Sequence, residues 1–183
     1  MGGPNKLLAR FDGVPLARRA AERLAASGAA PVVAVVGHQA EQLRGLLADL
    51  SLTIVDNPDF ASGLAGSLKT GIRALPPGID GALVALADMP GVATADYDRM
   101  VAAFRRHGGL AVVRATAGGQ RGNPVILPRA LIARIDELDG DAGARHLIET
   151  GGLEIVDVEL GEAARVDVDT PEALAAAGGT VTG

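Results

Sequence analysis

The sequence contains no cysteine and no tryptophan, and aromatic residues make up only 2% of its 183 positions. The lack of cysteine excludes a disulfide framework, a thiolate zinc site and a cysteine nucleophile. Lysine and arginine (17) are outnumbered by aspartate and glutamate (22), so the net charge of −5 argues against nucleic acid or an acidic membrane as the main partner. No apolar run approaches membrane-spanning length, and the N-terminus lacks the apolar core of a signal peptide. We therefore expect a cytoplasmic protein in which any phosphate ligand is held by a local site.

Small and aliphatic side chains dominate the chain, because 48% of the residues are hydrophobic while few are aromatic. Such a composition is typical of Ala-rich helices packed on Val-rich strands, which favours the α/β class over an all-β sandwich. The length suits one domain with a substantial core. We expect this domain over residues 1–177, followed by a disordered tail over 178–183 that has nothing to pack against.

Apolar runs of strand length alternate with segments of helical periodicity. In the first half the pattern predicts strands at 31–36, 52–55 and 82–87, and helices at 16–26, 39–50, 67–75 and 95–107. In the second half it predicts strands at 110–113, 122–127 and 153–160, a turn at 117–120, and helices at 128–138, at 141–150 and from Thr170 onward. This order indicates right-handed crossovers and a mostly parallel sheet flanked by helices.

The most informative stretch, residues 81–90, reads GALVALADMP. An apolar run without polar alternation predicts a strand covered on both faces, and Asp88 follows its carboxyl end. Ligands bind at that edge in open α/β sheets, so Asp88 is a candidate for metal or phosphate chemistry; the alternative is that it caps the next turn. Gly37-His38 and Asp56-Asn57 also follow predicted strands, which collects polar residues at one edge of the sheet.

Two further segments carry charges suited to phosphate or metal. Lys6 follows a Gly-rich start, a combination that suits phosphate oxygens, although such termini are often disordered. Asp167 and Asp169 occupy alternate positions, so they share one face if the segment is extended and could bind a divalent cation. The alternative is that one of them assists the cap of the last helix, which Thr170 and Pro171 open.

Three other segments are polar or rich in small residues. Residues 60–69 place small residues before the N-terminus of a predicted helix, and such a terminus can bind an anion. The alternative is an ordinary helix that is capped by Ser67. One polar segment contains Arg121 and Asn123, and another contains Asp141 near the start of a predicted helix. Each could position a substrate or shape a loop. The three histidines His38, His107 and His146 lack metal-site spacing, and we propose no histidine metal site.

Taken together and in order, these segments resemble the MobA-like nucleotidyltransferase family, and within it the molybdenum cofactor cytidylyltransferase branch. The resemblance covers nearly the whole chain, and the ordered set is more specific than any one motif. It rests on MGGPNKLL at 1–8, GVPL at 13–16, Asn57-Pro58, GLAGSL at 63–68, LADMP at 86–90, RGNPV at 121–125, GDAGAR at 140–145 and DVDTPE at 167–172.

The resemblance implies a three-layer Rossmann-like nucleotidyltransferase fold and transfer of a nucleoside monophosphate from an NTP to an acceptor phosphate, with release of pyrophosphate. It implies Mg²⁺ as cofactor and, as partners, CTP, a molybdopterin-type acceptor and a molybdoenzyme or its accessory proteins. Lys6 and Asp88 would be the catalytic residues. The residues implied to hold the metal are Asp88, Asp169 and Asp167. Those implied to bind the nucleotide are Lys6, Gly37, Asn57, Gly63 and Ser67. Those implied to bind the acceptor are Arg121, Asn123 and Asp141.

One part of the family pattern has no counterpart here. The family begins with a strand and a Leu-Ala-Ala-Gly-x-Ser-x-Arg loop that wraps the triphosphate, and Met1 corresponds to the residue after that loop. We therefore expect a misplaced start codon and a natural protein that extends upstream. Two alternatives stay open: a nucleotidyltransferase that uses GTP or another phosphorylated small-molecule acceptor, and a non-catalytic module that binds nucleotide or cofactor.

Overall fold

A computed structural model describes residues 5–140, 143–168, 171–176 and 178–180. The strands are β1 (Arg10–Phe11), β2 (Val14–Pro15), β3 (Val33–Val36), β4 (Thr53–Asp56), β5 (Gly81–Val84), β6 (Val112–Ala117), β7 (Gln120–Pro128), β8 (Ile155–Glu159) and β9 (Gly179–Thr180). The helices are α1 (Leu16–Ala25), α2 (Ala40–Leu47), α3 (Leu64–Arg73), α4 (Thr94–Arg106), α5 (Arg129–Ile132), α6 (Arg145–Thr150) and α7 (Pro171–Ala176). None of the helices described is both long and apolar enough to cross a membrane.

The fold is α/β with mixed strand pairing, as expected from the alternation of helices and strands. The main sheet has the order β5, β7, β6, β8, in which β6 and β8 are parallel and the other two pairs are antiparallel. β3 and β4 form a separate parallel pair. Antiparallel pairing is more prominent than the sequence predicts, because β7 inserts between β5 and β6 through a two-residue hairpin, which joins only antiparallel strands.

The β6–β7 hairpin confirms the predicted turn at 117–120. Gly118 and Gly119 have φ values of 56° and 76°, as the tight turns of two-residue hairpins require. The carboxylate of Glu159, at the end of β8, accepts hydrogen bonds from the N–H groups of both glycines and of Gly161, and from the hydroxyl of Thr116. Glu159 thus fastens the hairpin to the neighbouring strand.

Replacing Glu159 with Gln is expected to lower the melting temperature at about pH 7 much more than at about pH 3. Hydrogen bonds from the Gly118 N–H, and next from the Thr116 hydroxyl, hold the pKa of Glu159 below its ordinary value of 4.5. Since the folded pKa is depressed, the stabilisation is complete above the ordinary value and is lost as the pH falls through the folded pKa. Thermal melts between about pH 3 and about pH 7 measure the loss of melting temperature, and Glu154→Gln, at an exposed position, is the control. An equal loss of melting temperature at the two pH values would contradict this explanation.

Two predicted helices and the predicted tail depart furthest from the structure. The helix predicted at 128–138 is divided into α5 and a 3₁₀ turn (Ile135–Glu137), although its buried Leu131, Ile135 and Leu138 keep helical spacing. The helix predicted at 141–150 spans only α6 within the described residues. The tail is not unpacked at its start, because β9 pairs with β1. The reason is the buried Phe11, whose ring lies so close to Gly179 that a Cβ there would come within 2.6 Å of it.

Between β3 and β5 the sheet is interrupted. In the described part of the chain, β3 is paired only with β4 and β5 only with β7. A cavity of about 930 Å³ lies between them, lined by both strands and by residues of α1, α3 and α4. The side chains of Val33 and Val35 in β3 are therefore half-buried, whereas Val112 and Val113 in β6 are fully buried.

Candidate active site

Asp88 lies just beyond the carboxyl end of β5, where the sequence predicts it. Its Oδ2 atom accepts a hydrogen bond of 2.6 Å from the Nζ atom of Lys6, 82 residues earlier in the chain. The side chains are 34% and 21% exposed, so the pair sits at a partly open surface. Among the described residues none donates a hydrogen bond to the buried Oδ1 atom of Asp88. The structure therefore brings the two predicted catalytic residues into direct contact.

The backbone on both sides of Asp88 is held by contacts from distant segments. Arg23, in the last turn of α1, donates from one guanidinium nitrogen to the carbonyls of Pro90 (2.6 Å) and Val92 (2.8 Å). Burial lowers the pKa of Arg23 from its ordinary value, and the nearby Arg19 acts in the same direction. The N–H of Val168 donates to the carbonyl of Asp88 at 3.1 Å. The loop that carries the carboxylate is thus fixed from two directions.

Arg23 is a site residue that the sequence analysis missed. Its partners lie 67 and 69 residues away, so no local spacing reveals them. The available signal was an arginine at the C-terminus of a helix, a common place for a cation that interacts with the helix dipole.

The predicted nucleotide-binding residues after β4 form one connected group. Asn57 is 4% exposed, its Nδ2 atom donates to the hydroxyl of Ser67 at 3.0 Å, and its Oδ1 atom accepts from the N–H of Asp59. Gly63 has a φ of 113° and precedes α3, which begins at Leu64. The helix therefore starts three residues before the predicted position, and Ser67 lies inside it rather than capping it.

Gly37, at the end of β3, supports an aromatic side chain. A Cβ atom at Gly37 would lie 2.5 Å from the Cβ of Phe60, so only glycine allows this approach. The ring of Phe60 is 5.9 Å from that of His38, and Phe60 is 42% exposed. The predicted nucleotide residue Gly37 thus acts through packing in this structure.

The predicted acceptor residues lie apart. Asn123 lines the large cavity, as do Ser67 and Ala87. Arg121 is exposed, and one of its guanidinium nitrogens lies 3.3 Å from a carboxylate oxygen of Glu149. The predicted Asp141 falls outside the described residues. Asn123 and Ser67 therefore share one cavity, whereas Arg121 points to an ion pair at the surface.

Gly122, between Arg121 and Asn123, is required by a close backbone approach. A Cβ at this position would lie 2.1 Å from the carbonyl oxygen of Ala164, in the 3₁₀ turn Gly161–Ala164. That turn leads into the segment whose Val168 N–H binds Asp88. The glycine of the RGNP motif is therefore explained by packing next to the site.

Replacing Gly122 with Ala is expected to destabilise the fold by about 1–3 kcal/mol, the usual cost of overpacking against atoms that cannot move freely. Chemical denaturation measures this cost. The control is Gly45→Ala in α2, where a Cβ meets nothing within 4 Å, and where the change should be neutral or stabilising. Equal stability of the Gly122 variant and the parent protein would contradict the packing explanation.

The residues around Asp88 fit a divalent cation that substrate phosphates help to hold. Mg²⁺ is usually held by one or two carboxylates together with substrate phosphates and water, so a cage of protein ligands is not required. The described residues contain no group of three or more candidate metal ligands. Asp88 offers a buried oxygen without a donor, and exposed Asp167 lies beside Val168, which is bonded to Asp88. Asp169 falls outside the described residues.

The sequence profile of the MobA-like NTP transferase domain matches residues 1–158. The chain belongs to this family. Its coarse class is therefore that of the nucleotidyltransferases, in agreement with the paired lysine and aspartate at the carboxyl edge of the sheet.

Relatives of this MobA-like protein include enzymes with different names. Over 142 residues it is 25% identical to the molybdenum cofactor cytidylyltransferase of Escherichia coli, which covers 77% of this chain and 70% of that protein. Over 179 residues it is 28% identical to the nicotine blue oxidoreductase of Paenarthrobacter nicotinovorans, covering 94% and 86%. Rv0371c from Mycobacterium tuberculosis, solved in complex with manganese, superposes with a TM-score of 0.80 at 20% identity over 94% of this chain and 90% of that one. The last match shows the fold alone.

Proposed function

We propose that the protein transfers CMP from CTP to the phosphate of a molybdopterin-type cofactor and releases pyrophosphate. The observation that carries the proposal is the contact between Lys6 and Asp88, with one Asp88 oxygen left without a donor among the described residues. The cytidylyltransferase relative and the GLAGSL sequence at 63–68 support the choice of CTP.

The reaction is an in-line displacement. An oxygen of the acceptor phosphate attacks the α-phosphorus of CTP and forms the new P–O bond. The bond from the α-phosphorus to the oxygen bridging the β-phosphate breaks, and pyrophosphate leaves with that electron pair. Such transfers depend on positioning and charge neutralisation, so no protein nucleophile is required.

Lys6 and Asp88 would have different roles in this transfer, one toward the triphosphate and the other toward the metal. The Lys6 ammonium is a compact charge that neutralises triphosphate oxygens, and Asp88, with Asp167 and Asp169, would hold Mg²⁺. When bound, Mg²⁺ supplies charge neutralisation at the α-phosphate. The hydrogen bond from Lys6 Nζ to Asp88 Oδ2 holds both charges together at the place where the phosphates would enter.

The remaining predicted residues would position the substrates. Asn57, Gly63 and Ser67 form a loop and helix start beside the cavity that Ser67 lines, which suits contact with the nucleoside. Gly37 would support this side through Phe60. Asn123 lines the same cavity and would face the acceptor, and Arg121 and Asp141 would also bind the acceptor. A molybdoenzyme or its accessory protein would receive the product.

Pyrophosphate release tests the proposal. Protein, Mg²⁺ and molybdopterin are mixed with CTP or with GTP. We expect release that requires both CTP and the acceptor. Release with GTP but not with CTP would refute the choice of CTP. Absence of release with either nucleotide would favour a binding module or an oxidoreductase, since neither produces pyrophosphate.

A further inference from the structure

The loop over residues 85–93 joins β5 to α4 and carries Asp88. It belongs to none of the described strands, so no β-ladder fixes its backbone. The side chains of Met89 and Val92 are buried, whereas Asp88 lies at a partly open surface. The direction in which the carboxylate points therefore depends on single contacts that other elements make with this loop.

Arg23 of α1 is bonded to this loop and to the helix that follows it. Its guanidinium donates to the carbonyls of Pro90 and Val92, which come shortly after Asp88 in the chain. Its own backbone carbonyl accepts a hydrogen bond of 3.0 Å from the hydroxyl of Thr94, the first residue of α4. Arg23 thus joins the C-terminal turn of α1 to both the loop and the start of α4.

The second support of the loop is the segment that ends at Val168. The N–H of Val168 donates to the carbonyl of Asp88, and a Cβ at Gly91 would lie 3.2 Å from the Cα of Ala163. The loop therefore takes its position from two elements that are distant in the sequence. Arg23 supplies the side-chain hydrogen bonds that come from α1.

Arg23 is a partly buried cation that is satisfied by carbonyls alone. In the part of the chain that the structure describes, no carboxylate forms an ion pair with it, whereas Arg19, one turn earlier in α1, is paired with Asp12 at 2.6 Å. Hydrogen bonds from a charged donor are stronger than those from a neutral one. Because both carbonyl acceptors belong to the loop, the guanidinium holds the loop more firmly than a neutral side chain would.

We propose that Arg23 is a positioning residue, whose guanidinium fixes the Asp88 loop so that the carboxylate is held in place for a divalent cation and the substrate phosphates. The inference rests on the proposed function, because it assigns Arg23 to the same site. A ligating group must be held within about 0.5 Å of its productive position by the residues behind it. Removing such a supporting partner usually costs about 10–100-fold in metal affinity or activity. Arg23 acts through the loop and not by contact with the substrate.

Three variants separate this role from a general effect on the fold. Arg23→Met removes the donors but keeps an apolar stem, and Arg23→Lys supplies an ammonium with three donors that should restore the support. Arg19→Met is the matched control, since the bonds of Arg19 go to Phe11 and Asp12 and not to the Asp88 loop. If Arg23→Met does not fold, Arg23→Gln, which is neutral but keeps an amide donor, takes its place.

Amide hydrogen exchange of Val168 reports the position of the loop without nucleotide. Its N–H is protected by the Asp88 carbonyl, so a loop that moves away leaves it open to water more often. Relative to the amide of Val113 in the central strand β6, it should exchange about 10-fold faster in Arg23→Met than in the parent protein. Arg23→Lys and Arg19→Met should keep the parent ratio.

Mn²⁺ binding in the presence of CTP, followed by electron paramagnetic resonance, reports whether the loop is held for the cation. We expect the affinity to fall about 10-fold in Arg23→Met and to stay at the parent value in Arg23→Lys and Arg19→Met. A residue that only stabilised the fold would change the melting temperature and leave this affinity unchanged.

Several results would overturn the inference. One is a Val168 amide that keeps its parent exchange ratio in Arg23→Met. Another is faster exchange with Mn²⁺ bound as tightly as in the parent protein, since Arg23 would then serve the fold alone. An equal loss of affinity in Arg19→Met, or a parent protein that binds no Mn²⁺, would overturn it as well. If the parent protein binds Mn²⁺ but releases no pyrophosphate, CMP transfer is refuted, and the expected changes in exchange and affinity would still support the positioning role.

Discussion

The Asp88→Asn variant is expected to lose roughly 1000-fold in kcat/KM for pyrophosphate release, or about 4 kcal/mol of transition-state stabilisation, while remaining folded. The amide keeps the size of the side chain but removes the negative charge that would hold the cation. The Asp88 carbonyl that accepts from Val168 belongs to the backbone and is unaffected. Steady-state kinetics of the Asp88 variant and the parent protein measure the loss in kcat/KM. Circular dichroism of the same two proteins measures whether the variant is folded.

Asp80→Asn is the matched control, because exposed Asp80 precedes β5 at the end of the strand opposite Asp88. Its rate should equal that of the parent protein. A second readout separates cation binding from other roles of Asp88: Mn²⁺ binding in the presence of nucleotide, followed by electron paramagnetic resonance, should weaken in the Asp88 variant only. An Asp88 variant with an undiminished rate would remove this residue from the metal site.

The Lys6→Met variant is expected to lose roughly 100-fold in kcat/KM, because the ammonium that we propose neutralises triphosphate charge is replaced by an apolar chain of similar length. Its effect on the free energy of unfolding should be small, about 1 kcal/mol or less, since the Lys6–Asp88 pair is partly exposed and screened by solvent. Kinetics at varied nucleotide concentration and chemical denaturation measure these two quantities.

Lys69 is the only other lysine of the chain, so Lys69→Met is the matched control and should leave the rate unchanged. The double variant Lys6→Met with Asp88→Asn should lose less activity than the product of the two single losses, because the two residues are in contact and are proposed to act on the same phosphates. Fully multiplicative losses, or a Lys6 variant as active as the Lys69 variant, would contradict a shared role.

The sequence predicts the parts of the site that depend on local pattern. An apolar run that ends in an aspartate and a proline places Asp88 at a strand end, and the predicted hairpin at 117–120 is confirmed by the positive φ values of its glycines. The prediction that Lys6 and Asp88 belong to one site follows from the order of motifs along the chain and not from their spacing. Their contact across 82 residues is visible only once the chain is folded.

Other features depend on packing that no local pattern encodes. The partners of Arg23 lie in a distant loop, and the need for glycine at 122 follows from the Ala164 carbonyl in a turn some forty residues later. The early start of α3 depends on Gly63, whose φ of 113° no spacing rule demands.

The hydrogen bond from Val168 to Asp88 has a consequence for how the protein folds. The loop that presents the carboxylate receives its first partner from Lys6, synthesised early, and its last from a residue made about eighty positions later. Contacts of such long sequence separation carry a high entropic cost and form late. A nascent chain on the ribosome can therefore pair β6 with β7 before the Asp88 loop is complete, because the hydrogen bond from Val168 forms only after residue 168 has emerged.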